Sequence, residues 1–467
     1  MNPCNLFGAL RLALLCALLS AVAPAQASEV SELRAQLDAL KSEHQTQIQA
    51  LESRLAQLES QVAAASAANA SQVPQALPPV VPASGRGPNA FNPAISLILS
   101  GRYAQLSADP GNYQIAGFLP AGDELGPGTR GFNLGESELT LAANVDPYFF
   151  ANLTAAISGE NTISVEEAYV KTLALPAGLS LKAGRFFSGL GYLNEIHSHA
   201  WDFADQPLVY QALYGGQLAQ NGAQLKWLAP TNLFFELAAE TGNGQEFPGT
   251  RLTRNGLNGG ALLVHIGDDF GDSLSWRTGL SWQRQRAENR SFAAATDTGA
   301  PALAAFTGDS ATWVADATLK WSPHGNANQH SLKIQGEYLR RGETGELAYA
   351  TAQQQLVDGY RSRQSGWYLQ SVYQLLPRWR VGVRYDALDS GASYLGLVAQ
   401  GLLPMSAIAV LVPARPTRTS VMFDWNPSEF TRLRAQFAWD DARASRRDRQ
   451  LMLQYLYSIG AHGAHKF

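Results

Sequence analysis

The sequence predicts an all-β transmembrane protein: an antiparallel β-barrel of about 16 strands, within 14–18, behind an N-terminal α-helical coiled coil. Three observations carry this. From Ala94 to Phe467, apolar and polar residues alternate in hairpin after hairpin, as strands with two differing faces require. Short Pro- or Gly-marked turns alternate with long polar loops, the asymmetry between the two rims of a membrane barrel. Charged residues are 16% of the chain, against about 25% in water-soluble proteins. After the first segment, no apolar run is long enough to cross a bilayer as a helix.

Residues 1–27 read as a secretory signal. Arg11 precedes the apolar stretch Leu12–Ala23, and Ala25-Gln26-Ala27 supplies a small-x-small cleavage site. A membrane helix would need roughly 20 apolar residues. Lipid attachment at Cys16 is disfavoured, because Leu15 is too large for the position before it. Cys4 and Cys16 both precede the cut, so the mature chain is expected to have no disulfide and no thiolate site. The formal net charge of -4 leaves no basic footprint for nucleic acid.

Residues 28–66 form the coiled coil, expected in the periplasm. Val30, Leu33, Leu37 and Leu40 follow 3-4 spacing, as do Ile48, Leu51, Leu55, Leu58 and Val62. His44 lies between the runs at two successive four-residue steps, a stutter that relaxes the supercoil; it reads as a polar register-setter. One helix cannot bury so narrow a stripe alone, so residues 29–66 are expected to make a homo-oligomer. Residues 67–93, with Pro74, Pro78, Pro79, Pro82 and Pro88, are an extended linker, and the barrel occupies 94–467.

The short turns are Asp146-Pro147, Pro176-Ala177-Gly178, Pro230-Thr231-Asn232, Gly267 to Asp272, Pro323 to Gln329, Pro377-Arg378 and Pro427-Ser428-Glu429. Proline belongs between strands and not inside a closed ladder. Polar segments at 107–130, 188–215, 241–256, 287–309, 341–363 and 389–414 read as long loops, with brief ones near Gly159 and at Asp440–Asp448. Both barrel ends then fall on the short-turn side.

Individual strands show the alternation. Leu274, Trp276, Thr278, Leu280 and Trp282 share a face, opposite Ser275, Arg277 and Gln283. Trp313, Ala315, Ala317, Leu319 and Trp321 alternate with Asp316 and Lys320; Trp379, Val381, Val383 and Tyr385 alternate with Arg380, Arg384 and Asp386. Tryptophans at the row ends, with Trp227, Trp425 and Trp439, suit aromatic girdles at the lipid headgroups.

With its signal peptide, barrel size and C-terminal aromatic Phe467, the chain resembles Gram-negative outer-membrane porins. The resemblance implies that barrel-assembly machinery reads the last strand, that lipid surrounds the wall, and that the oligomer is a trimer. Gly463 and His465 depart from an apolar terminal strand. Four segments are similar to the group labelled zinc-regulated TonB-dependent outer-membrane receptors: Phe91–Ala104, Leu134–Phe150, Lys182–Phe203 and Ile459–Phe467. TonB-dependent receptors carry a plug inside about 22 strands. Here only a coil and a linker precede the barrel.

The segment Ser188–Gly215 is the third loop on the long-loop side, the one that in many porins narrows the pore. Glu195, His197, His199 and Asp202 are candidate Zn²⁺ ligands, with Asp205 nearby and His462 and His465 a second pair. The plainer reading makes them hydrogen-bonding residues of a polar loop and of the barrel rim. Arg277, Asp316, Lys320, Arg384 and Asp386 are the expected pore lining, with Glu136, Glu138 and Arg434 also inward. Both signs are present, and the acidic loop leans toward cations. No Gly-x-Ser-x-Gly or His-Glu-x-x-His motif occurs, so no enzyme is expected. The expectation is a channel for passive diffusion of small hydrophilic solutes or ions. A zinc-responsive metal-uptake receptor and a coiled-coil envelope tether are the alternatives.

Overall fold

A strand that alternates apolar and polar side chains can bury neither row alone; closing the sheet gives each row its own medium. The computed structural model shows that closure. It describes residues 93–460, apart from 120–124, 160–161, 252, 254, 297–298, 328 and 445, together with Lys41 and Ser53. The chain divides into two units, Met1–Gly87 and Pro88–Phe467. The expected signal peptide, coiled coil and linker lie outside the described residues almost entirely, as do His462, His465 and Phe467.

Eighteen strand segments form one sheet. Gly131–Leu134 and Ser137–Asn144 both pair with Ala94–Leu106 and make one interrupted wall strand. Tyr394–Leu395 is a two-residue outlier on a loop. The wall therefore has sixteen strands. In order they are β1 Ala94–Leu106, β2 Gly131–Asn144 as interrupted above, β3 Phe149–Ile157, β4 Ile163–Thr172, β5 Leu179–Phe187, β6 Ala219–Leu228, β7 Phe234–Gly242 and β8 Gly259–Phe270. The second half is β9 Leu274–Ala295, β10 Pro301–Trp321, β11 Ser331–Ala350, β12 Gln355–Leu376, β13 Trp379–Asp389, β14 Thr417–Ser428, β15 Thr431–Asp440 and β16 Asp448–Gly460. Every neighbouring pair is antiparallel, and β1 pairs with β16 from Ser96↔Gly460 to Leu106↔Gln450, which closes the barrel.

The faces divide as the alternation requires. Leu280, Trp313, Val383, Tyr385, Leu453 and Tyr455 point outward and are exposed, while Gln283, Asp316, Arg384 and Asp386 are buried in the lumen. Trp276 and Trp282 stand six positions apart on β9, and Trp313 and Trp321 eight apart on β10. Roughly 20–26 Å of strand separates the rows, the right order for an apolar belt about 25 Å tall.

Most short turns fall at or beside the expected prolines, but Pro427 and Ser428 still belong to β14, whose turn is Glu429-Phe430, and Gly267–Phe270 continue β8, leaving Gly271–Ser273 as the turn. Pro176–Gly178 is a 3-10 turn with Ala177 at φ 58, and Pro377-Arg378 joins β12 to β13 with Arg378 at φ 75. Two of the long loops are not loops. Residues 287–309 and 341–363 largely continue as ladder, in strands of 22, 21, 20 and 22 residues from β9 to β12. Crossing a bilayer takes about 9–11 residues, so these hairpins continue past the apolar belt. The segment between β13 and β14 packs on them: Leu395, Leu397, Ile408 and Leu411 join Phe292, Phe306, Leu347 and Tyr360 in one apolar cluster.

Candidate functional site

The connection between β5 and β6 turns into the lumen. It carries a one-turn-plus helix, α1 (Leu208–Tyr214), whose seven residues are all buried. An exposed loop would not tolerate Leu208, Val209, Leu213 and Tyr214 together; inside the barrel they form a core with Leu190, Leu193, Ile115, Phe118, Val314 and Leu339. Pro207 opens α1 and Gly215, at φ 69, ends it.

Wall side chains hold this loop from several directions. On β11, Glu337 accepts hydrogen bonds from Tyr192 N at 3.2 Å, Leu193 N at 3.0 Å and the Tyr210 hydroxyl at 2.7 Å. Tyr368 on β12 donates to the same carboxylate at 2.6 Å. Gly191, at φ +65, makes the approach possible: a Cβ there would lie 2.1 Å from Glu337 Oε2. On the far wall, Asp205 meets Arg384 Nη2 at 2.8 Å, Arg418 Nη1 at 2.9 Å and Gln436 Nε2 at 2.8 Å. Asp386 accepts from Leu208 N at 2.9 Å, and Arg341 donates to the Leu213 carbonyl at 2.9 Å.

A third anchor lies on β2 and β4. His197 Nδ1 is 3.1 Å from Glu138 Oε2 and from Glu166 Oε2, and its Nε2 is 3.2 Å from Glu167 Oε2. His199 Nδ1 is 2.7 Å from Glu138 Oε1, the two rings stack 5.8 Å apart, and Ser198 donates to Glu136. Glu166 and Glu167 are consecutive yet both reach His197. The register shift opposite Thr154/Ala155 leaves Glu166 without a ladder partner, and a bulge re-aims a side chain in this way.

The sequence-predicted residues thus separate into distinct roles. His197 and His199 converge, through a shared strand carboxylate rather than as neighbours on an extended chain, since Ser198–Ala200 is a 3-10 turn. Glu195 and Asp202 turn elsewhere: Glu195 lies 3.8 Å from Lys182 Nζ, and Asp202 bridges Lys333 Nζ at 3.0 Å and Arg380 Nη1 at 3.2 Å. The donor atoms that do converge belong to Glu138, Glu166 and His197. Of the expected pore lining, Arg277 and Lys320 remain half-buried on the lumen, Asp316 is buried, and Arg384 and Asp386 lie beneath the loop as anchors. Glu166, Glu167, Glu337 and Arg418 carried no local signal beyond being charges in strands.

Charge on the loop follows these partners. Burial would lower the His197 pKa, but hydrogen bonds to Glu138, Glu166 and Glu167 outweigh it and hold the imidazole well above its ordinary value. Burial would raise Asp205; the guanidiniums of Arg384 and Arg418 pull it down to about 2. Asp202 is likewise held below the usual carboxylate range, by Lys333 and Arg380 against its burial.

With this geometry in hand, comparison with known proteins places the chain. No family model matches it. An uncharacterized protein of Aquifex aeolicus (strain VF5) is 32% identical over 356 residues, which cover 72% of this chain and 70% of that protein. This chain belongs to that protein's family. Solved structures of similar form share little sequence. OmpT of Vibrio cholerae, in its trimer form, gives a TM-score of 0.48 at 10% identity over 79% of this chain and 99% of that one. The outer membrane channel DcaP of Acinetobacter baumannii gives 0.48 at 12% over 79% and 97%. An anion-selective porin from Comamonas acidovorans gives 0.45 at 10% over 79% and 99%.

Proposed function

We propose that the chain is an outer-membrane channel for passive diffusion of small hydrophilic solutes or ions, its passage set by the loop between β5 and β6. The observation that carries this is the combination of a closed, apolar-jacketed barrel with a polar lumen that its own loop enters and binds on several walls. A loop fixed in this way narrows a pore without needing a separate plug domain. Lipid contacts the outer apolar row, and the assembly machinery reads the C-terminal strand. Residues 29–66 join barrels into a trimer; their deletion is expected to leave folded monomers in detergent. The test of conduction is swelling of vesicles that hold the refolded, folding-verified barrel. Swelling in small sugars above the rate of empty vesicles is expected. Its absence contradicts the proposal.

One observation favours a second reading, uptake or sensing of a divalent metal. Three carboxylates and two imidazoles meet around His197, and the Glu138, Glu166 and His197 donors are of the type and closeness that hold Zn²⁺. The resemblance to zinc-regulated receptors points the same way. The cluster is also satisfied without metal when His197 is protonated, because both ring nitrogens then donate. Calorimetry with Zn²⁺ on the wild type and on His197→Ala/His199→Ala separates the two. Absent or equal binding removes the metal.

A further inference from the structure

We propose that the outer surface of β9–β12, just past the aromatic girdle, binds lipids whose head groups carry more than one phosphate. The site faces the leaflet on the long-loop side and does not depend on conduction.

It is built from arginines on the outward faces of the long hairpins. In cross-strand register, Trp282 on β9 and Trp313 on β10 lead to Arg340 on β11 and Ser365 on β12. The next outward rung is Arg284, Ala311, Gly342 and Arg363, and the one after it is Arg286, Asp309, Thr344 and Arg361. All five of these arginines are exposed. One outward step past the tryptophan pair is about 7 Å of strand. That is the depth of the head-group layer, about 5–7 Å on either side of the hydrocarbon.

The signs on this face do not balance. Arg284 meets Asp309 at 3.2 Å, while Arg286, Arg340, Arg361 and Arg363 pair with no carboxylate among the described residues. Glu346 stands a rung beyond, opposite Thr307 and Gly359. Glu288 is bonded to Thr253, and Asp389 faces Arg415 at 3.6 Å. Arg340 and Arg363 are diagonal neighbours across β11 and β12, roughly 7–8 Å apart along the sheet.

Between these two arginines the surface is cut away. Gly342 lies beside Arg363 on one strand and Ala311 on the other, and a Cβ there would meet nothing nearer than Ser362 O at 4.0 Å. The notch leaves room for phosphate oxygens, which a guanidinium fork meets two bonds at a time. On the membrane side of the notch, Leu280, Tyr338, Trp367 and Leu369 are exposed and give acyl chains an apolar track. Cations directly above hydrocarbon suit a lipid better than a free anion.

The test titrates the refolded full chain in neutral detergent with lipid A, whose head group carries two phosphates, and counts bound lipid by native mass spectrometry. Wild type is compared with Arg340→Gln/Arg363→Gln, and with Arg415→Gln/Arg446→Gln as a control of equal charge away from the notch. Saturable binding is expected in wild type and in the control. It should be about tenfold weaker or more in the notch variant, the order that losing two cations at an anionic surface implies. Phosphatidylcholine should not bind above background, and inorganic pyrophosphate at equal concentration should not displace the lipid. Equal binding by wild type and notch variant, with folding verified by circular dichroism, overturns the site. Equal weakening in the control does the same, and displacement by pyrophosphate overturns a lipid as the occupant.

Discussion

His197 and Glu138 meet where the inserted loop touches β2, with Nδ1 3.1 Å from Oε2. Glu166 and Glu167 close around the same ring from β4. An imidazole with a carboxylate at each nitrogen is satisfied only as the cation, so protonation and loop anchoring are linked.

The direction of that linkage sets the first prediction. A histidine whose pKa is raised on folding contributes fully below its unfolded value of about 6.5. The contribution is lost as pH rises through the raised value. Loop position, followed by single-channel gating, is therefore expected to be steady at neutral pH and to loosen only in alkaline solution. His197→Gln should abolish the alkaline transition and show loosened gating at neutral pH.

Asp205 gives the opposite limb. Its pKa is pulled down to about 2, so its anchoring is complete above the unfolded value and fades as pH falls toward 2. Gating is expected to stay unchanged at mildly acidic pH near 4 and to become irregular below it. Asp205→Asn should remove this acid-dependent change and leave the loop loosened throughout.

Glu337 collects four donors, three from the loop and one from Tyr368. Glu337→Ala would strand them, at about 1–3 kcal/mol for each group that finds no water. The expected result is a displaced loop and a larger conductance, with barrel folding preserved because no ladder bond is lost. Gly191→Ala should act in the same direction, since its Cβ would collide with the same carboxylate.

The outward row can be tested by charge. Leu280, 50% exposed on the bilayer face, is expected to cost about 2–4 kcal/mol of barrel stability as Leu280→Arg at mid-depth. A change at Gln283, on the luminal face of the same strand, should alter conductance and leave folding into vesicles near wild type. Urea titration of folding into vesicles measures the difference.

The legible part of this molecule is the part that meets lipid. From Leu274 to Trp282 each second side chain faces hydrocarbon, and period two is written plainly there. Beyond the belt the same β9 strand continues through Arg286, Glu288 and Arg290. The outer face is wet at that level, so the outward apolar row stops, while inward residues such as Ala287 and Phe292 pack under the segment between β13 and β14. With the period-two contrast to lipid gone, a strand reads like a loop. The loop itself showed one honest signal, the apolar run Leu208–Tyr214, which suits burial and not an exposed tip. Its anchors were not legible: Glu337 and Arg418 are single charges in strands, and Glu166 reaches His197 only through a bulge. The histidine pair pointed to a real cluster, but its carboxylates come from β2 and β4 and not from neighbouring Glu195 and Asp202.

Single-channel recording of the wild type beside Glu337→Ala tests the central claim most directly, that a wall-anchored loop inside a closed barrel sets the passage. A small steady conductance in the wild type and a distinctly larger one in the variant are predicted. Equal conductances from two verified folded barrels would contradict it.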